Sequence, residues 1–204
     1  MIAMTQPAIA SGSDGLRLTY QPILAAAGPD EEVGDRPGVE EIDPAPPQFG
    51  EADSMRWTLL IGGGAQFDDL RNQVSRVGLG VSYFLVDDLS LSLELNGMHF
   101  DQRGGNAAGI NTTLLMRYHF ITDERWTFYF DGGAGIMGTS RSVPLKGSRF
   151  NFTPQAGFGF THVLDADKRF MAGIRWHHVS NARTHLPNPG RDSFLLYAGL
   201  TVPF

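Results

Sequence analysis

The sequence predicts an all-β protein, in which eight antiparallel strands close into a transmembrane barrel behind a disordered N-terminal lead-in. Three observations predict this fold. From Met55 onward, apolar and polar residues alternate with the period of two that is typical of strands. The connections alternate between tight turns and longer loops rich in Gly, Asn and Arg, as they do in outer-membrane barrels. No run of about 18 apolar residues occurs, which excludes a membrane-spanning helix.

The lead-in is predicted to cover residues 1–54 and the barrel residues 55–204. Between Asp30 and Asp53 there are nine acidic residues and one basic residue, in a stretch rich in Pro and Gly. Such a composition buries too little apolar surface to fold, so we expect disorder or a targeting role. The nearest candidate for a secretory signal is LRLTYQPILAAAG, in which Arg17 precedes a short apolar run.

Each predicted strand has at least the roughly 9 to 11 residues that a tilted transmembrane strand needs. The clearest is LSLSLELN, in which Leu89, Leu91, Leu93 and Leu95 alternate with polar residues. The eight strands are predicted near 56–66, 75–86, 89–100, 109–121, 126–137, 149–163, 168–180 and 191–204.

The distribution of charge favours a membrane barrel over a soluble one. Glu94, Arg117, Asp131 and Arg175 fall on the face opposite the aliphatic one, and this face would be the barrel interior. A soluble barrel has an apolar interior, and an exterior of Leu, Val, Ile and Phe would aggregate in water. Aromatic residues, among them Trp176, concentrate near strand ends, as interfacial girdles do. The chain ends on Phe204, which resembles bacterial outer-membrane proteins, so we expect a bacterial outer-membrane location.

Several classes of site are not predicted. The chain has no cysteine, which excludes disulfides, thiolate metal sites and cysteine nucleophiles. The histidines show no ligand spacing, so no metal is expected. The run GAGIMG fits a dinucleotide-binding pattern, but no helical pattern follows it, and no cofactor is expected. Basic residues are too few and too dispersed for nucleic-acid binding.

A candidate catalytic cluster comes from the parity of the last two strands. Side chains two residues apart on a strand share a face, so His178, Ser180 and Asp192 should meet on the outer wall near the long-loop rim. These are the residue types of an esterase charge relay: Ser180 would attack, His178 would transfer the proton, and Asp192 would orient the imidazole. Candidate oxyanion-hole donors are Asn181, Asn188 and the backbone amide of Gly190. The alternative is that the three residues are structural or interfacial.

The runs HVSN, at 178–181, and NPGRD, at 188–192, resemble the hallmark of the lipid A 3-O-deacylase (PagL) family, also described as acyloxyacyl hydrolases. That hallmark has a histidine, a serine two residues later and an acid twelve residues after the serine, which is usually glutamate where this chain has Asp192. The resemblance implies an eight-stranded outer-membrane barrel with its active site on the outer wall. It also implies a serine esterase that removes the ester-linked acyl chain at the 3 position of lipid A and releases a 3-hydroxy fatty acid.

The loops near 138–149 and 181–191 contain basic residues and no acid, which suits the phosphates of lipid A or lipopolysaccharide. The alternative is that these side chains are simply solvated. These basic residues are Arg141, Lys146, Arg149, Arg183 and Arg191. Two other functions stay open: a non-catalytic barrel with a structural or adhesive role, and an outer-membrane phospholipase. The sequence also leaves open whether the barrel is a monomer or a homodimer among the membrane lipids.

Overall fold

The computed structural model describes residues 48–165 and 167–204, and all regular structure within them is β-strand. The predicted lead-in before Gln48, with its candidate signal, lies outside the described residues. The strands are β1 (Met55–Gln66), β2 (Gln73–Val86), β3 (Leu89–Asp101), β4 (Ala107–Thr122), β5 (Trp126–Val143), β6 (Ser148–Phe152), β7 (Gln155–Asp165), β8 (Lys168–Val179) and β9 (Arg191–Pro203). Within residues 48–165 and 167–204, no helix is long and apolar enough to cross a membrane.

The strands form a closed antiparallel ring, which confirms the predicted barrel. Successive strands pair with each other except for β6 and β7, which both pair with β5, and β1 closes the ring by pairing with β9 over the register from Arg56↔Pro203 to Gln66↔Ser193. The ring has eight strand positions, because β6 and β7 share one position beside β5. Closure gives the long strands a partner on each side, which is the condition for strands in a lipid environment.

Two predicted strand boundaries are wrong. The predicted sixth strand, 149–163, is two strands that are separated by Thr153 and Pro154, because proline has no N–H to donate to a ladder. The predicted fifth strand, 126–137, continues to Val143. Its extension pairs with β4 at Gly109↔Thr139 and reaches β6 after a register shift, so much of the predicted loop at 138–148 is strand.

The exterior of the barrel is apolar at every strand position. Inward side chains are buried and outward side chains are exposed in alternation, as the period of two predicts. Outward residues that are about half exposed include Leu59, Ile61, Val77, Leu79, Leu93, Leu95, Leu114, Phe158 and Leu196. A wall of this composition suits hydrocarbon and not water. The connections with tight turns lie at one rim, and those with longer loops lie at the other.

The interior contains a network of buried ion pairs, which confirms the predicted inward charges. Arg175 donates to Asp131 Oδ2 at 2.7 Å and to Glu94 Oε2 at 3.0 Å, and Arg117 donates to Asp131 Oδ2 at 2.9 Å. Arg76 lies 3.4 Å from the same Glu94 oxygen. Because each carboxylate has more than one guanidinium partner, the cost of removing these charges from water is offset by several charge-assisted hydrogen bonds.

Side chains close the interior on both sides of this network. Toward the long-loop rim lies an apolar cluster that includes Phe100, Met137 and Leu195. At the short-turn rim Phe49, which the sequence assigns to the lead-in, packs edge-on against Phe84 with ring centroids 5.5 Å apart. The guanidinium carbon of Arg169 lies 4.3 Å from the centre of the Phe49 ring.

Candidate active site on the outer wall

The hairpin of β8 and β9 places the three predicted catalytic residues on one face of the barrel wall. In its register His178 lies directly opposite Asp192, and both side chains face outward, as parity predicts. Ser180, two residues beyond His178, also faces outward, just past the end of β8. The cluster therefore lies on the lipid-facing wall, close to the long-loop rim.

His178 and Asp192 are in direct contact. The Nδ1 atom of His178 lies 2.8 Å from Oδ1 of Asp192, so this carboxylate fixes the ring orientation and leaves Nε2 as the free nitrogen. The His178 side chain is 26% exposed and that of Asp192 is 49% exposed, which leaves both accessible from outside. Aspartate is one methylene shorter than glutamate, yet here it spans the gap without a bridging group.

Trp176 is a site residue that the sequence analysis missed. Its indole Nε1 donates to the same Asp192 Oδ1 at 2.8 Å, and its ring lies with its centroid 5.9 Å from that of His178. Trp176 was predicted only as a girdle aromatic. The signal was available, since Trp176 shares the outward face with His178 and lies diagonal to Asp192 across the hairpin, within reach of a long side chain.

The break between β6 and β7 positions the backbone around Ser180. Ser180 exchanges two backbone hydrogen bonds with Phe152, of 2.7 and 3.1 Å, and the amide of His178 donates to the carbonyl of Pro154 at 3.0 Å. The Ser180 side chain is half-buried on the outward face. The backbone of the candidate nucleophile is thus held by the neighbouring strand position, at the end of β6.

The loop between β8 and β9 is folded around Asn181. The Asn181 side chain is buried and donates to the carbonyl of His185 at 2.8 Å, while its backbone amide donates to Oδ1 of Asn188 at 3.0 Å. Both Asn181 donors are therefore occupied within the loop, which differs from the predicted oxyanion role. This hydrogen bond fixes the orientation of the Asn188 side-chain amide and leaves its NH₂ group free to donate.

Gly190 lies against the imidazole. A Cβ atom at this position would lie 3.4 Å from Cε1 and 4.0 Å from Nε2 of His178, and the residue has a φ of +64°. Glycine adopts this left-handed conformation without strain, whereas other residues do so at a cost. Gly190 therefore allows the backbone of the loop to approach the free nitrogen of His178.

The residues next to the cluster point inward. His177 is 1% exposed, because the residue before an outward His178 on a strand faces inward. Arg191 was predicted on the basic rim, and this is wrong, because the outward direction of Asp192 turns its neighbour inward. There the Arg191 guanidinium donates to the carbonyls of Asn72 and Gln73 at 3.0 and 3.1 Å. The other four predicted rim cations are exposed: Arg141, Lys146, Arg149 and Arg183.

The family model described as lipid A 3-O-deacylase (PagL) matches residues 77–201, which include every strand from β3 to β8 and the whole cluster. The lipid A deacylase PagL of Bordetella bronchiseptica is 32% identical over 109 residues. That alignment covers 51% of this chain and 58% of the relative, so it spans little more than half of the length of that protein.

Solved structures with the same fold are outer-membrane barrels. The outer membrane enzyme PagL superposes with a TM-score of 0.57 at 20% identity, covering 70% of this chain and 97% of its own. Neisserial surface protein A gives 0.56 at 14% identity, covering 74% and 96%. The N-terminal β-barrel domain of Pseudomonas aeruginosa OprF gives 0.53 at 18% identity, covering 74% and 98%. The protein is thus an outer-membrane β-barrel, and because the family match extends over more than half of the sequence, the chain belongs to the lipid A 3-O-deacylase (PagL) family.

Proposed function

We propose that the protein is a serine esterase that hydrolyses the ester-linked acyl chain at the 3 position of lipid A and releases a 3-hydroxy fatty acid. The observation that carries this proposal is the direct contact of His178 with Asp192 on the lipid-facing wall, two residues from an outward serine. Polar groups on such a wall are costly, so their presence favours a function. A lipid substrate explains why a catalytic cluster would face hydrocarbon.

The proposed chemistry is acyl transfer in two steps. His178 Nε2 takes the proton of the Ser180 hydroxyl while Oγ forms a bond to the ester carbonyl carbon. The tetrahedral intermediate collapses, the bond to the sugar oxygen breaks, and His178 returns the proton to that oxygen. A water molecule then gives a proton to His178 and attacks the acyl-serine. The fatty acid leaves, and the serine regains its proton.

The oxyanion of the intermediate needs donors next to Ser180. We assign this role to the side-chain amide of Asn188 and the backbone amide of Gly190, because both lie in the loop beside the imidazole. The close approach of Gly190 to His178 supports the assignment. Loss of one such donor typically lowers the rate by about 100-fold or more.

The exposed cations of the long-loop rim support an anionic lipid headgroup. Long loops lie on the extracellular side of outer-membrane barrels, so the cluster would face the outer leaflet. Exposed arginines bind phosphate groups well because the planar guanidinium donates two parallel hydrogen bonds. Arg141, Arg149 and Arg183 are exposed on this side of the barrel.

The decisive experiment is Ser180→Ala, followed by mass spectrometry of lipid A from cells that express each form of the protein. We expect wild-type protein to remove one 3-hydroxy acyl chain and the variant to remove none, while both give a heat-modifiable folded barrel. Ser75→Ala is a matched control, since Ser75 is an exposed outward serine on β2 paired across the strands with His99. There His99 Nε2 lies 3.6 Å from Asp101, beyond hydrogen-bond distance, and we expect full activity.

Two other results would contradict the proposal. An unchanged lipid A mass with wild-type protein would favour the non-catalytic barrel. Release of unsubstituted fatty acids from glycerophospholipid would favour the phospholipase.

A further inference from the structure

Arg191 is a buried cation at the first position of β9, directly before Asp192 in the chain. The residue is 1% exposed and its side chain points into the barrel near the long-loop rim. Its Nη2 atom donates to the carbonyls of Asn72 and Gln73 at 3.0 and 3.1 Å. Its Nε atom donates to the hydroxyl of Ser193 at 3.2 Å. Every one of these partners is a neutral oxygen.

A guanidinium group in this place is costly. Its carbon lies 5.2 Å from the centre of the Phe100 ring, within the apolar cluster at this end of the barrel. The Nη1 atom of Arg191 has no protein partner within the residues that the structure describes. Burial of a charge is unfavourable unless hydrogen bonds and opposite charges compensate for the lost water. An apolar side chain would fill the same space at lower cost, so the arginine calls for a role other than packing.

Asp192 lies where two ladders of hydrogen bonds end. The register of β8 with β9 ends at Val179↔Arg191, and the register of β1 with β9 ends at Gln66↔Ser193. The ends of strands open more readily than their centres, because fewer contacts hold them. The acid of the candidate triad therefore depends on further contacts for a fixed position.

The connection between β1 and β2 supplies these contacts at both of its ends. Next to β1, the amide of Phe67 donates to the carbonyl of Asp192 at 3.0 Å. Next to β2, the carbonyls of Asn72 and Gln73 accept from Arg191. Neighbouring residues of a strand point to opposite faces, so Arg191 holds from the interior the backbone that carries the acid on the lipid side.

Resting on the proposed esterase function, we propose that Arg191 is a positioning residue, which holds Asp192 from inside the barrel so that its carboxylate stays against His178. The contact to be kept is the 2.8 Å distance between Asp192 Oδ1 and His178 Nδ1. A displacement of about 1 Å in such a site can lower the rate about 100-fold. Arg191 acts through the backbone and lies on the opposite face of the wall from the ester.

The experiment measures the initial rate of lipid A deacylation in vesicles at several substrate concentrations. Arg191→Met keeps an unbranched apolar stem beside Phe100 and removes every donor. It is expected to lower kcat at least about tenfold and to leave KM within about twofold, because the substrate does not contact this side chain. Arg191→Lys should recover part of the loss, because its ammonium group still donates to a carbonyl but lacks the fixed guanidinium geometry.

Arg169→Met is the matched control. Arg169 is also a buried inward arginine beside a phenylalanine ring, with its guanidinium carbon 4.3 Å from the centre of Phe49 at the other end of the barrel. This variant should keep the wild-type kcat. A double-mutant cycle adds a second test: in an Asp192→Ala background, Arg191→Met should change kcat less than about threefold, because the positioned group is gone.

The outcomes separate the positioning role from the esterase itself. The positioning role is overturned if Arg191→Met lowers kcat less than about tenfold, if Arg169→Met lowers it equally, or if the loss persists without Asp192. If Arg191→Met gives no heat-modifiable folded barrel, Arg191→Lys decides, and a wild-type kcat for that variant overturns the role. Equal deacylation by wild-type protein and Ser180→Ala would instead overturn the proposed function.

Discussion

Replacement of Trp176 by phenylalanine tests whether its indole N–H positions the candidate triad. Phenylalanine keeps a smaller aromatic ring on the lipid-facing wall and removes the donor to Asp192 Oδ1. A hydrogen bond to a charged group contributes about 1.5 to 3 kcal/mol. The Asp192 side chain is 49% exposed, so we take the lower end of that range. Since 1.36 kcal/mol is a factor of ten, kcat should fall about tenfold.

The assay is the initial rate of lipid A deacylation in vesicles at several substrate concentrations. We expect the loss in kcat with little change in KM, because Trp176 acts on the triad through Asp192. Trp57→Phe is the control, since Trp57 is a half-exposed outward tryptophan on β1, stacked on Phe204 and away from the hairpin. It should leave kcat unchanged.

A double-mutant cycle separates positioning from a general effect on the barrel. In an Asp192→Ala background the Trp176→Phe change should have almost no further effect on kcat, because the acceptor is gone. A kcat within twofold of wild type for Trp176→Phe alone would refute a positioning role for Trp176, and so would the same tenfold loss in the absence of Asp192.

Three further predictions concern other parts of the structure. Asp192→Glu should lower the deacylation rate about tenfold, although glutamate is the usual residue in the family, because the shorter aspartate already contacts His178 at 2.8 Å. A deacylation rate at or above that of wild type would contradict this prediction. Gly190→Ala should destabilise the loop by about 1 to 2 kcal/mol, because alanine is strained at the φ of +64°, and it should slow deacylation. Wild-type rates of both loop proteolysis and deacylation would contradict this prediction. Asp131→Asn should lower the free energy of unfolding by about 3 kcal/mol, because it removes the carboxylate that binds two buried guanidinium groups. The measurement is the urea midpoint of the folded, heat-modifiable form on a gel, and an unchanged midpoint would show that the ion-pair network contributes little to stability.

Alternation of apolar and polar residues was sufficient to predict the direction of the site residues. A strand gives each side chain one of two directions, and the apolar set marks the lipid side, so His178 and Asp192 could be placed on one wall. The break at Pro154 could also have been predicted, because a proline inside a strand pattern argues against continuity. The extension of β5 to Val143 could not, since it depends on pairing after a register shift.

Contacts that depend on rotamers were beyond the reach of the sequence. Parity placed Trp176 on the correct face, but only the conformation of its side chain directs the indole N–H to Asp192. The same limit applies to Asn181, whose residue type suits an oxyanion hole but whose amide bonds the carbonyl of His185. Arg191 shows a different error. Its charge was assigned to the rim, although its position next to the outward Asp192 on the same strand already predicted an inward side chain.

The packed interior has a consequence for the cell that carries this protein. Salt-bridged arginines fill the middle of the barrel, and apolar side chains lie above and below them. An outer membrane can therefore accommodate many copies of such a protein without becoming permeable to ions or antibiotics, since the interior is packed with side chains and the candidate site lies on the outer wall. We expect planar bilayers that contain the purified barrel to stay electrically silent.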